Sequence, residues 1–334
     1  MSRVFNKILV TGGAGYVGTL LAPQLLEQGY EVVVYDTCYF GNFLQEHPKL
    51  QVIEADIRDT ARFAEACKGV DVVIHLACIS NDPSFELDED LSKTINYDCF
   101  EPMVIAAKKA GVKRFVYASS TSVYGVSDAP DVTEDHPLLP LTLYNKFKGM
   151  CEPLLFQHKS DDFTCITIRP ATLCGYSPRM RLDLSVNILT NHAVTNRKIM
   201  VFGGNQLRPN LHIQDMVDLY KLLLTVPAEK IQGETFNVSC CNMSIMDIAN
   251  TAKKVVEELV PGAPIELEVS ESNDPRSYHV NADKITRLLG FKPKYTVEDA
   301  IRDVAKALVA GKLPNSMTDE SYFNVRTMKS KNAA

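Results

Sequence analysis

Thr11-Gly-Gly-Ala-Gly-Tyr-Val-Gly18 directly follows the apolar run Ile8-Leu9-Val10 and precedes a helical pattern over Leu20–Glu27. Gly12, Gly15 and Gly18 recur at every third position. In a strand–turn–helix context the first permits a tight turn. The second lets a pyrophosphate approach the backbone, and the third lets the helix pack close to a sheet. The helix N-terminus then offers free N–H groups and a positive dipole end to phosphate. Glycines alone would fit any strand–helix turn; the buried run before them and the helix after them make this a dinucleotide fingerprint. A second strand, Glu31-Val-Val-Val-Tyr35, ends at Asp36. A carboxylate there holds a ribose 2′-hydroxyl and repels a 2′-phosphate. No arginine or lysine stands between Asp36 and Pro48, so NAD is expected over NADP.

Strands and helices alternate on either side of this turn. Strands are expected over Lys7–Thr11, Glu31–Asp36, Gln51–Glu54, Val70–Leu76, Arg114–Ser119 and Thr164–Arg169. Helical patterns cover Thr19–Gln28, Thr60–Cys67, Leu91–Ala110 and Leu143–Gln157. Parallel neighbours need crossover connections, so the alternation predicts an α/β fold with a doubly wound, Rossmann-like parallel sheet. Turn signals become denser after Arg169-Pro170, at Gly175, Pro178, Gly203-Gly204 and Pro209. Helices are expected over Asp215–Thr225 and Ile245–Leu259, with strands at Thr235–Val238 and Ile265–Val269. The expected organisation is a cofactor domain over 1–170 and a smaller mixed lobe over 171–312, with some segments returning to the first core. That lobe would close a cleft over the strand ends. Residues 313–334 read as a loosely held tail.

Bulk properties exclude other classes. The 334 residues are 46% hydrophobic, enough for a sizeable core, and the net charge is −6. Lysines and arginines are scattered, with only short runs such as Lys108-Lys109, so no nucleic-acid surface is expected. Nine cysteines occur, with Cys240-Cys241 the one close pair, no C-x-x-C and no histidines at ligand spacing. A reduced, cytoplasmic setting without a metal site is expected. With the first strand a few residues from Met1, no signal peptide is expected, and no apolar run reaches membrane-spanning length.

Tyr144-Asn-Lys-Phe-Lys148 opens a helical pattern, and residues at i and i+4 face the same way. A phenol titrates near pH 10, too high for a base at neutral pH. An ammonium one turn away favours the phenolate. Such a pair can take a proton from a substrate hydroxyl while hydride leaves the same carbon. Upstream, Ser119-Ser-Thr-Ser-Val-Tyr-Gly125 ends the fifth strand and brings hydroxyls to the cleft.

The glycine turn, His75-Leu76-Ala77, the Ser/Thr-rich segment and Tyr-x-x-x-Lys together resemble the extended short-chain dehydrogenases/reductases. More narrowly, they resemble the nucleotide-sugar epimerase/dehydratase group, over residues 7 to about 305. The resemblance implies that Ser120, Tyr144 and Lys148 are catalytic. It implies that Gly12, Gly15, Tyr16, Val17, Asp36, Asp56, Ile57, Leu76 and Ala77 hold NAD together with Tyr144 and Lys148. Asn96 matches an asparagine that orders water near the lysine. Arg208 and Arg276 match arginines that grip the substrate diphosphate, a task suited to the guanidinium fork. Thr121, Ser122, Thr172 and Asn187 would line the substrate site, and Arg179 and Arg181 follow in the same loop. The 4,6-dehydratases of the group carry an acidic pair where Thr121-Ser122 stands here, and the glucuronate decarboxylases carry a glutamate where Ser122 stands. Both activities are therefore disfavoured.

The resemblance thus implies an NAD-dependent nucleotide-sugar epimerase working through a transient 4-keto sugar. A nucleotide-4-ketosugar reductase uses the same triad and stays open. So does proton chemistry at C3 or C5, with Cys78 and Cys174 as pocket thiols. A non-catalytic cofactor sensor would be expected to lose the tyrosine or the lysine, and both are present. A homodimer pairing the helices over Leu91–Ala110 and Leu143–Gln157 is implied in the same way.

Overall fold

The computed structural model describes residues 4–271 and 277–332. The first half runs β1 (Lys7–Thr11), α1 (Gly18–Glu27), β2 (Glu31–Asp36), β3 (Leu50–Glu54), α2 (Thr60–Ala66), β4 (Val72–His75), α3 (Asp82–Phe85), α4 (Glu89–Lys93), α5 (Phe100–Lys109), β5 (Arg114–Ala118), α6 (Leu143–Gln157) and β6 (Thr164–Pro170). The second half runs β7 (Thr172–Cys174), α7 (Ser185–Asn196), β8 (Lys198–Phe202), β9 (Leu207–His212), α8 (Ile213–Leu223), β10 (Glu234–Val238), β11 (Cys241–Ser244), α9 (Ile245–Leu259), β12 (Glu266–Ser270), α10 (Asp283–Leu289), α11 (Val297–Val309) and α12 (Asn324–Asn332).

Seven strands form one sheet in the order β10-β6-β5-β4-β1-β2-β3, every pair parallel. Side chains alternate between its two faces with period two. Ile8 and Val10 face a core with Leu21, Leu25, Val217 and Leu219 of α1 and α8. Leu9 faces the opposite core with Phe63, Phe100, Met103 and Leu155 of α2, α5 and α6. Burial on both faces explains why β1, β2 and β4 read as unbroken apolar runs. The connection reverses direction between β1 and β4, which opens a crevice at their carboxyl ends. β10, although it follows the second-half elements, pairs with β6 at the sheet edge.

The smaller lobe packs α7, α9 and α11 around Val186, Leu189, Ile248, Val255 and Ile301. Beside them stand the short sheets β11-β9-β7 and β12-β8. A capping box starts α11: the Thr296 hydroxyl accepts from the Asp299 amide, and the Asp299 carboxylate accepts from the Thr296 amide.

Three expectations change. The helix over Leu91–Ala110 is broken by a π turn at Thr94–Asp98. The extra residue in that turn frees the Asn96 side chain to hold the Ile79 backbone. β4 and β5 end short of the expected limits, at His75 and Ala118. The segment after Leu313 is not loosely held: Leu313, Phe323 and Met328 are buried. Leu313 and Phe323 pack with Tyr16, Met180, Leu182 and Val304, which supplies the apolar contact that a tail lacks.

Candidate functional site

The glycine turn leaves β1 with Gly12 at φ 69°, where a Cβ would meet the Ala77 nitrogen at 2.7 Å. At Gly18 a Cβ would collide with the Gly13 carbonyl. No side chain fits at either point, so Gly12 lets the turn pack directly on the loop after β4 and Gly18 lets α1 close on the turn. Gly15 donates back to the Gly12 carbonyl at 3.1 Å. Tyr16 and Val17 lead into α1. The Tyr16 phenol is buried; it donates to the Gly175 carbonyl at 2.6 Å and accepts from the Asn187 amide at 3.0 Å. Burial pushes that phenol well up from its ordinary range.

Asp36 ends β2 beside the turn. Its carboxylate accepts from the Ala14 amide at 2.9 Å and the Cys38 amide at 2.8 Å. Burial raises its pKa, and those amides and Arg179 oppose the shift. Arg179 comes from the loop after β7. It is buried, stacks 4.1 Å over Phe40, and donates to the Asn324 carbonyl oxygen at 2.6 Å, leaving Nε without a partner. Burial lowers its pKa to about 9. The absence of a cation between Asp36 and Pro48 in the sequence is thus offset by a cation that the fold brings from elsewhere.

Leu76 and Ala77 follow β4, their amides directed at the Thr11 hydroxyl at 3.2 and 3.3 Å. That hydroxyl also bonds the buried His75 Nδ1 at 2.7 Å. Burial drops the His75 pKa to about 3, so its ring is neutral. Asp56 pairs with Arg58 at 2.6 Å, and this partner lowers its pKa. Ile57 is buried in the core with Tyr35 and Phe63.

Tyr144 and Lys148 lie on the first turns of α6, whose N-cap is Thr142; the Thr142 hydroxyl accepts from the Asn145 amide. The Thr142 hydroxyl also donates to Asp82 at 2.6 Å, joining the helix start to the first residue of α3. The Asn81 amide hydrogen-bonds the Tyr144 phenol, and Phe85 lies against its ring. Burial pushes this phenol strongly up, and Cys78 and Asp82 add to the shift. The cation that opposes it is Arg181. Lys148 is buried, donates to the Ala118 carbonyl at 2.8 Å and lies 5.2 Å over the Tyr117 ring. The expected cation for the phenol was Lys148. In this geometry the lysine is anchored at the end of β5, and Arg181 acts on the phenol.

The hydroxyl cluster ends β5. Ser120 Oγ stands 2.7 Å from Ser122 Oγ, which in turn donates to the Asn145 carbonyl oxygen. Thr121 is buried and donates to the Pro170 carbonyl at 3.2 Å, away from this chain of hydroxyls. Asn96 spends both amide atoms on the Ile79 backbone, each at 2.8 Å. It therefore holds the loop after β4 in place.

Among the expected substrate residues, Thr172 lies on β7, half-buried, opposite Asn210 of β9. Arg208 lies on β9, 5.5 Å over the Tyr278 ring. Asn187 is fully buried, and its amide ties the Gly175 amide, the Tyr16 phenol and the Arg181 carbonyl together. Arg276 lies outside the described residues. Arg181 pairs with Asp183 at 2.9 Å and donates to Ser80 at 3.2 Å, leaving its buried Nη2 without a partner.

Two residues essential to this geometry carried no reading in the sequence. Glu152, one turn beyond Lys148, forms a buried ion pair with Arg169 at 2.5 Å and accepts from Ser119 at 2.6 Å. The i+4 spacing from Lys148 was the available signal. Among the described residues no group of three or more His, Cys, Asp or Glu could hold a metal ion, and no helix is long and apolar enough to cross a membrane.

A parallel sheet with a glycine turn at its switch point and a Tyr-x-x-x-Lys helix beside it defines a nicotinamide-dependent enzyme of the short-chain dehydrogenase type. The chain belongs to the NAD dependent epimerase/dehydratase family, whose model matches residues 8–239, and its cofactor is NAD. It is 28% identical over 320 residues to a UDP-glucose 4-epimerase of Lactobacillus helveticus, covering 88% of this chain and 94% of that one. It is 26% identical over 307 residues to the low-salt glycan biosynthesis protein Agl12 of Haloferax volcanii, covering 88% of this chain and 96% of that one. In fold it is similar to MoeE5 in complex with UDP-glucuronic acid and NAD, with TM-score 0.79 at 24% identity over 92% of this chain and 100% of that one. A UDP-glucose 4-epimerase of Thermotoga maritima with UDP-glucose gives TM-score 0.81 at 21% identity, over 92% of this chain and 99% of that one.

Proposed function

We propose that this protein is a nucleotide-sugar 4-epimerase acting on a UDP-sugar. The observation that supports the reading is the hydrogen-bonded chain Ser120–Ser122–Asn145, which runs from the end of β5 onto α6, the helix that also carries Tyr144 and Lys148. Bound NAD would supply a hydride acceptor and donor for C4 of the sugar. Tyr144 accepts the 4-hydroxyl proton as the carbonyl forms and gives it back afterwards. On substrate binding the Ser120 hydroxyl would turn from Ser122 Oγ to donate to the same oxygen, while Ser122 stays fixed on Asn145. Arg181 favours the phenolate against the burial that opposes it, while Lys148 holds the end of β5 beside the helix. Arg208, with Arg276, holds the diphosphate while the sugar turns over and presents its other face. Remote binding energy of this kind keeps a keto intermediate from escaping. The turn at Gly12, Gly15, Tyr16 and Val17 would hold the cofactor pyrophosphate, and Asp36 the ribose.

UDP-glucuronate is a second reading of the sugar. The unpartnered Nη2 of Arg181, in the field of Tyr144, favours an acidic sugar over a neutral one. Homodimerisation through α5 and α6 belongs to the same proposal.

The test is proton NMR of UDP-glucose and of UDP-glucuronate incubated with the purified protein, with release of bound cofactor by denaturation. Appearance of the C4 epimer without accumulation of reduced cofactor is the expected result. Net formation of reduced cofactor would move the activity to a dehydrogenase. No turnover of either sugar would overturn the proposal.

A further inference from the structure

In a regular strand, consecutive side chains point to opposite faces. Cys240 and Cys241 do not. Cys240 lies in the bend that joins β10 to β11, and the two sulfurs stand 3.3 Å apart. Both residues are half-buried and line a cavity of about 360 Å³ together with Asp131, Asn242 and His279. The hydrogen bond between the thiols makes them unequal. It raises the pKa of Cys240 and lowers that of Cys241. A thiol with lowered pKa beside a protonated one is the arrangement of an attacking and a resolving cysteine.

We propose that Cys240 and Cys241 form a redox-active dithiol, a modification site for hydroperoxides, whose disulfide loosens the strand pair that carries Arg208. In the first step the Cys241 thiolate attacks one peroxide oxygen. The O–O bond breaks, hydroxide leaves and takes up a proton, and a sulfenic acid forms. Cys240 sulfur then displaces the sulfenic oxygen as water. Two thiols lose two electrons and two protons in total, and one hydrogen peroxide becomes two waters.

The consequence for the fold follows from chain geometry. Neighbouring Cα atoms across a trans peptide stand about 3.8 Å apart, whereas disulfides favour about 4.4–6.8 Å. The bond is therefore strained and readily reduced again, as regulatory disulfides are. The strain falls on backbone that is already in use. The Cys240 amide donates to the Asn210 carbonyl at 2.8 Å, Cys241 pairs with Asn210, and Met243 pairs with Arg208.

The test exposes the full-length protein to hydrogen peroxide, alkylates it and digests it with trypsin. The peptide over 231–253 contains these two cysteines and no other. It is expected to be lighter by two hydrogens and unalkylated, and to be restored by dithiothreitol. In the peroxide-treated protein, amide exchange over 207–212 and 241–244 is expected to quicken severalfold, and C240S is expected to show neither change. Recovery of two alkylatable or over-oxidised cysteines overturns the proposal, as does a disulfide that leaves strand exchange unaltered. Neither readout depends on the identity of the sugar substrate.

Discussion

Glu152→Ala tests how α6, the helix that carries Tyr144 and Lys148, is held. Glu152 Oε1 accepts from Ser119 at 2.6 Å and from Arg169 Nε at 3.0 Å, and Oε2 accepts from Arg169 Nη2 at 2.5 Å. Both side chains of the ion pair are about 95% buried, at 5% and 6% exposure. The pair thus clamps α6, two turns beyond Tyr144, to the ends of β5 and β6. An exposed pair of this kind would contribute less than about 1 kcal/mol. Removing one partner of a buried pair leaves an uncompensated charge and costs about 3–5 kcal/mol. That is a large share of a total stability of roughly 5–15 kcal/mol. Tyr124 and the Glu134 carbonyl, which accept from Arg169 at 2.6 and 3.2 Å, cannot replace the lost negative charge. At roughly 2 °C per kcal/mol the melting temperature should fall by about 6–10 °C. Urea unfolding of the purified variant, with wild type beside it, gives the free energy directly. The double variant Glu152→Leu/Arg169→Met removes both charges and should recover most of the loss. A single variant within about 1 kcal/mol of wild type, or a double variant as unstable as the single, would refute the reasoning.

Tyr144→Phe should lower epimerisation by about a hundred- to ten-thousandfold while cofactor content after denaturation stays the same; a loss below about tenfold would remove Tyr144 as the base. His75 is held neutral with its pKa near 3, against about 6.5 in the unfolded chain, so below pH 6.5 the unfolded state binds the extra proton and stability falls as the pH drops. By pH 5 the loss from this group should be about 2 kcal/mol, and His75→Phe should unfold in urea with a shallower pH dependence over pH 7 to 5. Asn187→Leu should destabilise the protein by about 2–6 kcal/mol, because the Gly175 amide and the Arg181 carbonyl lose a buried partner. Unchanged stability with a raised KM for the sugar nucleotide would instead make Asn187 a substrate contact.

What was legible in the sequence was local. Gly12, Gly15 and Gly18 declare a turn because each spacing is set by steric limits within eight residues. Tyr144 and Lys148 declare a shared helix face because 3.6 residues make a turn. Ser120 and Ser122 stand where a strand end points its side chains into a crevice. The rest depends on partners far along the chain. Asn187 reads as a polar residue near a substrate loop, yet its amide is committed to Tyr16 and Gly175. Asn96 aims at Ile79 only because a π turn rotates it, and no hydrophobic periodicity encodes one extra residue in a turn. Arg179 acts on the charge of Asp36 through space, across more than a hundred residues of sequence. The tail looked polar and short of structure because its apolar residues are spaced for docking onto Tyr16 and Val304 rather than for a helix stripe of their own.

The position of β10 has a consequence for synthesis of the chain. Until Val238 has left the ribosome, β6 is the sheet's outermost strand, with a row of open N–H and C=O groups flanked by apolar side chains. The 68 residues between Pro170 and Val238 take roughly 3–14 s to add at about 5–20 residues per second. Throughout that interval the nascent cofactor half offers a ready template for a stray strand from a neighbouring polysome chain. Slowed elongation over 171–238 would lengthen the exposure and raise aggregation, whereas a chaperone acting early in translation would lower it without touching the finished enzyme.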